Sequence, residues 1–324
     1  MCGIVLPFIN MLRLFQFIAS QLAVLTALSA LFAYLYPPLF LIFKNYFLGF
    51  FAATMFAIGL VLKPADIRDE CKQPVRIAQG VITQFSVMPI LAFVVAQYPG
   101  FSPAVAMGFI IVGSAPGAMA SNVIVYLAGG AVAYSVALTS VATVLSPLLT
   151  PLLVKYLGGA IMPVAFWPMM QTILFTVFLP LLAGLFLQSL MPVFTRQAKP
   201  YAPGVSALAI IIICSYAVAA NQQRITDMGL MVLVAVMAVN ILGYIIGWYL
   251  ARLYGFALSH RVTLMIELGM QNAGMGVALA LAHFPPEAAL PGALFAVWCI
   301  LTAAIASSWF RRYQRLNKQE AALA

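Results

Sequence analysis

Apolar residues run through this chain in long stretches, separated by short intervals marked by charge, proline or glycine. The pattern predicts ten apolar segments, near residues 15–36, 46–62, 75–97, 103–126, 131–154, 164–190, 202–220, 228–253, 262–284 and 290–310. Each approaches the roughly 20 residues that a helix needs to cross a bilayer core. The intervals are too short to hold an extramembrane domain. The expected fold class is an all-α membrane protein of ten transmembrane helices.

Composition agrees with that pattern. Of 324 residues, 65% are hydrophobic and 7% charged, with a mean hydropathy of +1.07. A soluble domain carries about 25% charged residues, so there are too few charges to cover a water-facing surface. The net charge of +9 is spread through the intervals without a Lys/Arg-rich stripe. It therefore points to membrane-flanking loops rather than to nucleic acid. Cys2, Cys71, Cys214 and Cys299 are widely spaced and form no metal-binding or redox motif. The first ten residues lack the basic region of a secretory leader, so no cleaved leader is expected.

Basic residues set the orientation. Arg13, Lys63, Arg68, Lys72, Arg76, Arg196, Lys199, Arg252, Arg261, Arg311, Arg312, Arg315 and Lys318 fall on one side of a ten-span layout, 13 of the 16 Lys and Arg residues. Only Lys44, Lys155 and Arg224 fall on the other. Cytoplasmic loops carry the excess of Lys and Arg, so both termini are expected in the cytoplasm.

Ten spans divide into five and five, residues 1–158 and 159–324. An odd number per half inverts the second half, as in the inverted repeats of many secondary transporters. The fourth segment of each half is irregular at mid-span. One reads Gly113-Ser-Ala-Pro-Gly-Ala-Met-Ala-Ser-Asn122, the other Glu267-Leu-Gly-Met-Gln-Asn-Ala-Gly-Met-Gly276. Pro116 removes a backbone donor, and its neighbouring glycines resist helix. Gly113 with Gly117, and Gly243 with Gly247, also have the spacing of small-residue packing faces. Two such breaks at matching places in two halves favour a binding site.

Glu267 is the one acid expected inside a span; Asp66, Asp69, Glu70, Asp227, Glu287 and Glu320 fall in intervals or tails. An unpaired carboxylate there costs about 2.5–3.5 kcal/mol or more. With no Lys or Arg in a span except at its ends, its counterpart is a proton, a metal cation or a set of hydrogen-bond donors. Around it are expected Gln271 and Asn272, Ser121 and Asn122, Ser135 and Thr139 one turn apart, and Gln84 of the third segment. Oxygen ligands with one carboxylate suit Na⁺ or H⁺, not zinc or copper. Ser135 and Thr139 could also bond back to their own helix. His260 reads as a loop residue and His283 as a span end, neither with a role.

At these residues the chain resembles the bile acid:sodium symporter family, over essentially its whole length. The resemblance rests on Gln84-Phe-Ser-Val-Met-Pro89, Ala120-Ser-Asn-Val-Ile-Val-Tyr-Leu-Ala128, Ser135-Val-Ala-Leu-Thr-Ser140, Glu267-Leu-Gly-Met-Gln-Asn272 and Pro291-Gly-Ala-Leu-Phe295. It implies two inverted five-helix repeats. Segments 1, 2, 6 and 7 would form a panel domain, and segments 3–5 and 8–10 a core domain in which segments 4 and 9 unwind and cross. It also implies two Na⁺ sites. Ser121, Asn122, Ser135, Thr139 and Glu267 would form the first. Gln84, Glu267, Gln271 and the carbonyls of Leu268 and Met270 would form the second. Bacterial members resemble Gly-Thr-Ala-Ser-Asn where this chain has Ala118-Met119-Ala120-Ser121-Asn122, and Trp-His-Asn where it has Trp298-Cys299-Ile300. The substrate wall is thus more apolar here, with Asn272, Met119, Ala120, Asn122 and Cys299 as its candidate residues.

The function expected is sodium-coupled symport of a small organic anion, bile-acid-like, pantoate or a 2-oxo acid, across a bacterial inner membrane. No protein partner is evident. Proton coupling through Glu267 is the alternative. An intramembrane enzyme would need a base to activate Ser114 or Ser121, and no His or Asp is expected inside a span core. A channel would need a continuous polar pore.

Overall fold

The computed structural model describes the backbone of residues 2–62, 70, 72–323, and the side chains of these except 2–10, 23 and 313–323. Lys63, Asp66, Arg68, Asp69 and Cys71, and the side chains of Cys2, Arg315, Lys318 and Glu320, lie outside the described residues.

Among the described residues the fold is all helical. In chain order the helices are α1 (Cys2–Ser20), α2 (Leu22–Leu35), α3 (Pro38–Leu41), α4 (Phe47–Val61), α5 (Pro74–Ala96), α6 (Pro103–Gly113), α7 (Ser121–Leu127) and α8 (Val132–Gly158). They continue as α9 (Phe166–Leu190, with a π turn at Leu174–Phe178), α10 (Pro192–Ala198), α11 (Ala202–Ala220), α12 (Gln222–Leu253), α13 (Leu258–Gly269), α14 (Ala273–His283) and α15 (Leu290–Leu323). Among the described residues six helices are long and apolar enough to cross a membrane, or up to eight if two bent pairs count as single spans. One pair, Met11–Ser20 with Val24–Leu35, turns by 84°; the other, Pro38–Asn45 with Phe47–Val61, turns by 74°. The expected segments 103–126 and 262–284 are each split into helices of 11 and 7, and 12 and 11, residues. Each break falls at the proline- and glycine-bearing stretch, where backbone amides cannot continue the ladder.

Two sequence placements change. Asp227 belongs to α12, which starts at Gln222 rather than near 228. His260 lies in the first turn of α13 rather than in a loop.

Helix α11 packs along α1, α2 and α4, and α4 lies against the C-terminal half of α9. That second contact is backbone to backbone. A Cβ on Gly59 would overlap the Leu181 carbonyl, and one on Gly184 the Phe56 carbonyl. Elsewhere α12 runs along α13, and α5 along both α6 and α8. Large apolar side chains face outward all along the helices, among them Leu35, Ile82, Tyr156, Phe175, Leu230 and Leu253. A soluble fold could not leave so much apolar area in water; in a bilayer that surface faces acyl chains.

Candidate functional site

The two breaks lie side by side. Gly117 and Gln271 form an antiparallel bridge. Ala118 N donates to the Met270 carbonyl at 2.7 Å, and Asn272 N donates to the Pro116 carbonyl at 2.8 Å. Each break thereby supplies partners to the other. A buried unpaired backbone group is costly, and the pairing satisfies these groups where both helices are interrupted. It also delivers Ser121 at the start of α7, Glu267 near the end of α13, and Asn272 at the start of α14 to one place.

Glu267 is 1% exposed. Its Oε1 accepts from Ser121 Oγ at 2.6 Å and from Ser135 Oγ. Ser135 Oγ also lies 2.7 Å from Asn122 Oδ1, and its single proton serves only one of these acceptors at a time. Thr139 bonds back to the Ser135 carbonyl at 2.7 Å. Its methyl and Glu267 Oε2 flank Gly117, where a Cβ would sit 3.3 and 2.9 Å from them. On the other side, Gln84 Nε2 donates to Gln271 Oε1 at 2.9 Å, and Gln271 Nε2 to the Leu268 carbonyl at 3.1 Å. Ser121, Ser135, Thr139, Gln84 and Gln271 are all buried.

Two buried oxygens in these groups, Glu267 Oε2 and Gln84 Oε1, have no hydrogen-bond donor. Of the basic side chains nearest in sequence, Arg76 sits in the first turn of α5 and pairs with Glu70, and Arg261 sits in the first turn of α13, well over a turn before its break. Among the described residues no group of three or more His, Cys, Asp or Glu could hold a metal. The donor set is instead hydroxyl, amide, carbonyl and one carboxylate. That set fits a hard monovalent cation and not a thiophilic or imidazole-seeking metal.

The residues expected at the substrate differ in setting. Asn272 Oδ1 caps α14 by accepting from Met275 N at 3.1 Å, which leaves its amide nitrogen as the free donor end. Met119 and Asn122 are half-buried and Ala120 is exposed. Cys299 is buried, with Sγ directed at the Ala296 carbonyl of its own helix. Both described cysteines, Cys214 and Cys299, are free.

Sequence reasoning missed two features. Asn240 of α12 is fully buried, and its Nδ2 donates to the Gly269 carbonyl at 2.7 Å, one residue from the break. An amide between Val239 and Ile241 was the available signal. Arg76 reaches both Glu70 Oε1 and His260 Nε2 at 3.0 Å, and Tyr134 OH donates to the Arg76 carbonyl at 3.3 Å. This cluster joins α5, α8 and α13 beyond the carboxylate.

Comparison with known proteins bears on these residues. The model of the sodium bile acid symporter family matches residues 48–228, more than half of the chain. The chain belongs to that family. Family membership makes it a transporter rather than an enzyme. An uncharacterized sodium-dependent transporter of Bacillus subtilis is 33% identical over 304 residues, covering 94% of this chain and 95% of the relative. A probable chloroplastic sodium/metabolite cotransporter of Arabidopsis thaliana is 35% identical over 260 residues, 80% of this chain and 65% of the plant protein. Its counterpart in Oryza sativa is 33% identical over 245 residues, 75% and 60%. The family match spans Gln84, Ser121, Asn122, Ser135 and Thr139 but ends before Glu267; the Bacillus similarity is long enough to include it.

Proposed function

We propose that this family member is a sodium-coupled symporter of a small organic anion, working by alternating access. The observation that carries the reading is the pair of buried acceptor oxygens, Glu267 Oε2 and Gln84 Oε1, left without donors beside the paired breaks. An excess of acceptors over donors in a buried site calls for a cation, and sodium is the ion for which the family and these relatives are named. Two sites account for the donor set: Ser121, Asn122, Ser135, Thr139 and Glu267 in one, and Gln84, Glu267, Gln271 and the Leu268 and Met270 carbonyls in the other. Glu267 is common to both.

The architecture belongs to the same proposal. Ten spans in two inverted repeats accommodate the six to eight long helices together with two spans broken at α6/α7 and α13/α14. The grouping of α1, α2, α4, α9 and α11 is the expected panel, and the remaining long helices with the two broken pairs are the core. Both termini would face the cytoplasm of a bacterial inner membrane.

The anion would dock at the breaks, where the Asn272 amide nitrogen is a donor and Ala120, Met119 and Asn122 provide the accessible wall. The more apolar wall favours pantoate, 2-oxo acids or bile-acid-like carboxylates over heavily hydroxylated anions. Uptake into proteoliposomes with an inward sodium gradient, against choline and against an inward proton gradient, tests this. Uptake that follows the proton gradient and ignores sodium would replace sodium by H⁺ at Glu267.

A further inference from the structure

We infer that Asn240 is a positioning residue for the cation site, acting from outside the two breaks by holding the Gly269 carbonyl. The inference rests on the sodium reading above and concerns a residue that the expected ligand sets do not include.

The last turn of α13 ends at Gly269, and the amides four residues on from Leu268 and Gly269, those of Asn272 and Ala273, bond elsewhere, so these two carbonyls have no helical partners. The Ile266 carbonyl keeps its helical donor, Met270 N at 2.9 Å, whereas that of Leu268 accepts from Gln271 Nε2 at 3.1 Å. The Met270 carbonyl accepts from Ala118 N at 2.7 Å. The Gly269 carbonyl accepts from Asn240 Nδ2 at 2.7 Å. Of these four donors, Asn240 is the one from α12. Gly269 lies between the two residues whose carbonyls are proposed sodium ligands, so fixing its peptide fixes the orientation of the peptides on either side.

The face of α12 that carries Asn240 is built for this approach. Asn240, Gly243 and Gly247 are spaced three and four apart and share one helix face. A Cβ on Gly243 would lie 3.4 Å from the Leu268 carbonyl, and one on Gly247 3.0 Å from Met265 Cα and 3.2 Å from the Leu264 carbonyl. Tyr244 covers Gly269 so closely that a Cβ there would overlap its ring. The amide is the polar contact at the end of an otherwise close-packed seam. Its Oδ1 is buried and unpaired, and besides the bond to the Gly269 carbonyl the side chain interacts with the neighbouring Tyr244. A residue kept only for packing would have no use for a buried, half-satisfied amide, because an apolar side chain of equal volume avoids the unpaired oxygen.

Sodium alone is the probe. The purified full chain is titrated with NaCl against choline chloride at constant ionic strength, and the rise in melting temperature gives the half-saturating sodium concentration. Asn240→Leu removes the donor at similar volume, Asn240→Ala removes it without added bulk, and Asn240→Gln keeps an amide. The expected result is about a tenfold increase in half-saturating sodium for the Leu and Ala variants, and less than about threefold for Gln. Should the Leu variant fail to fold, the Ala and Gln variants carry the same comparison. A lower melting temperature in choline with unchanged half-saturating sodium would mean a merely structural role and overturn the inference. So would a Gln variant as impaired as Ala. If the unmodified chain shows no response to sodium, the sodium reading itself fails; if it responds and the Asn240 variants do not differ from it, only this inference fails.

Discussion

In the proposed sodium sites Glu267 is the one carboxylate, and each of its two oxygens has a different environment. Oε1 is faced by two serine hydroxyls, whereas Oε2 has no donor. Glu267→Gln keeps the shape but removes the charge. It is expected to weaken sodium binding a hundredfold or more, on the few kcal/mol that a charge-assisted contact contributes. Calorimetric titration with NaCl checks it, and unchanged sodium affinity would remove Glu267 from the site. Gly117 offers a finer probe, since a methyl there would stand 2.9 Å from Oε2. Gly117→Ala should raise the half-saturating sodium concentration several-fold, with the fold retained as judged by the melting temperature in choline. Asn272→Ala should lower affinity for carboxylates while sodium binding persists, and Met119→Thr should shift preference toward hydroxylated anions. Titration of both variants against pantoate, pyruvate and taurocholate separates these outcomes. Much of this set was legible as sequence, since polar side chains inside apolar segments are costly enough to be conspicuous: Gln84, Gln271, Ser121 and Ser135 all stood out. Thr139 turned its hydroxyl back to its own helix, the bland fate open to any threonine in a membrane helix. Asn240 was an equally conspicuous amide within an apolar segment, but its partner was not legible, being a backbone carbonyl 29 positions away that no side-chain pattern encodes.

At the scale of elements, the close crossing of α4 and α9 depends on two glycines whose neighbours are backbone atoms. Backbone cannot step aside as a flexible side chain can. Gly184→Ala and Gly59→Ala should each destabilise by about 1–3 kcal/mol, the usual cost of overpacking. Gly49, where an added Cβ would have nothing within 4 Å, is the control, and Gly49→Ala should leave the melting temperature unchanged. Helix extents followed the apolar pattern where the helix is straight: 202–220 was expected, and α11 covers those residues; α9 covers 166–190 against an expected 164–190. The pattern failed where geometry changes without a change in hydropathy. The 84° turn between α1 and α2 falls at Gln21, inside an expected straight segment of 15–36, and carries no proline or glycine to mark it. The breaks themselves were legible from Pro116 and the glycines, but their mutual pairing was not, because backbone hydrogen bonds between residues 116–118 and 270–272 leave no trace in side-chain identity.

For the whole molecule, the orientation we propose rests on the distribution of charge along the chain rather than on helix packing. With 13 of 16 basic residues assigned to one side, reporter fusions at the C-terminus and near Arg224 should score on opposite faces of the membrane. A periplasmic C-terminus would sink the ten-span arrangement. Two sodium ions with one monovalent anion would also carry net charge inward, which gains about 2.3 kcal/mol per charge per 100 mV. Uptake should then rise with an interior-negative potential set by potassium and valinomycin; indifference to it would point to an electroneutral cycle. The paired breaks bear, finally, on how such a chain is made. The segment around Pro116 leaves the ribosome and enters the bilayer some 150 residues ahead of the stretch that completes its hydrogen bonds. Until that later stretch arrives, the nascent first half holds raw peptide groups that neither lipid nor its own helices can match. On the proposed ten-span arrangement, the insertion machinery or a hydrated crevice would have to shelter them during synthesis. A first half produced alone should therefore be degraded or held by quality control, and supplying the second half as a separate chain should rescue it.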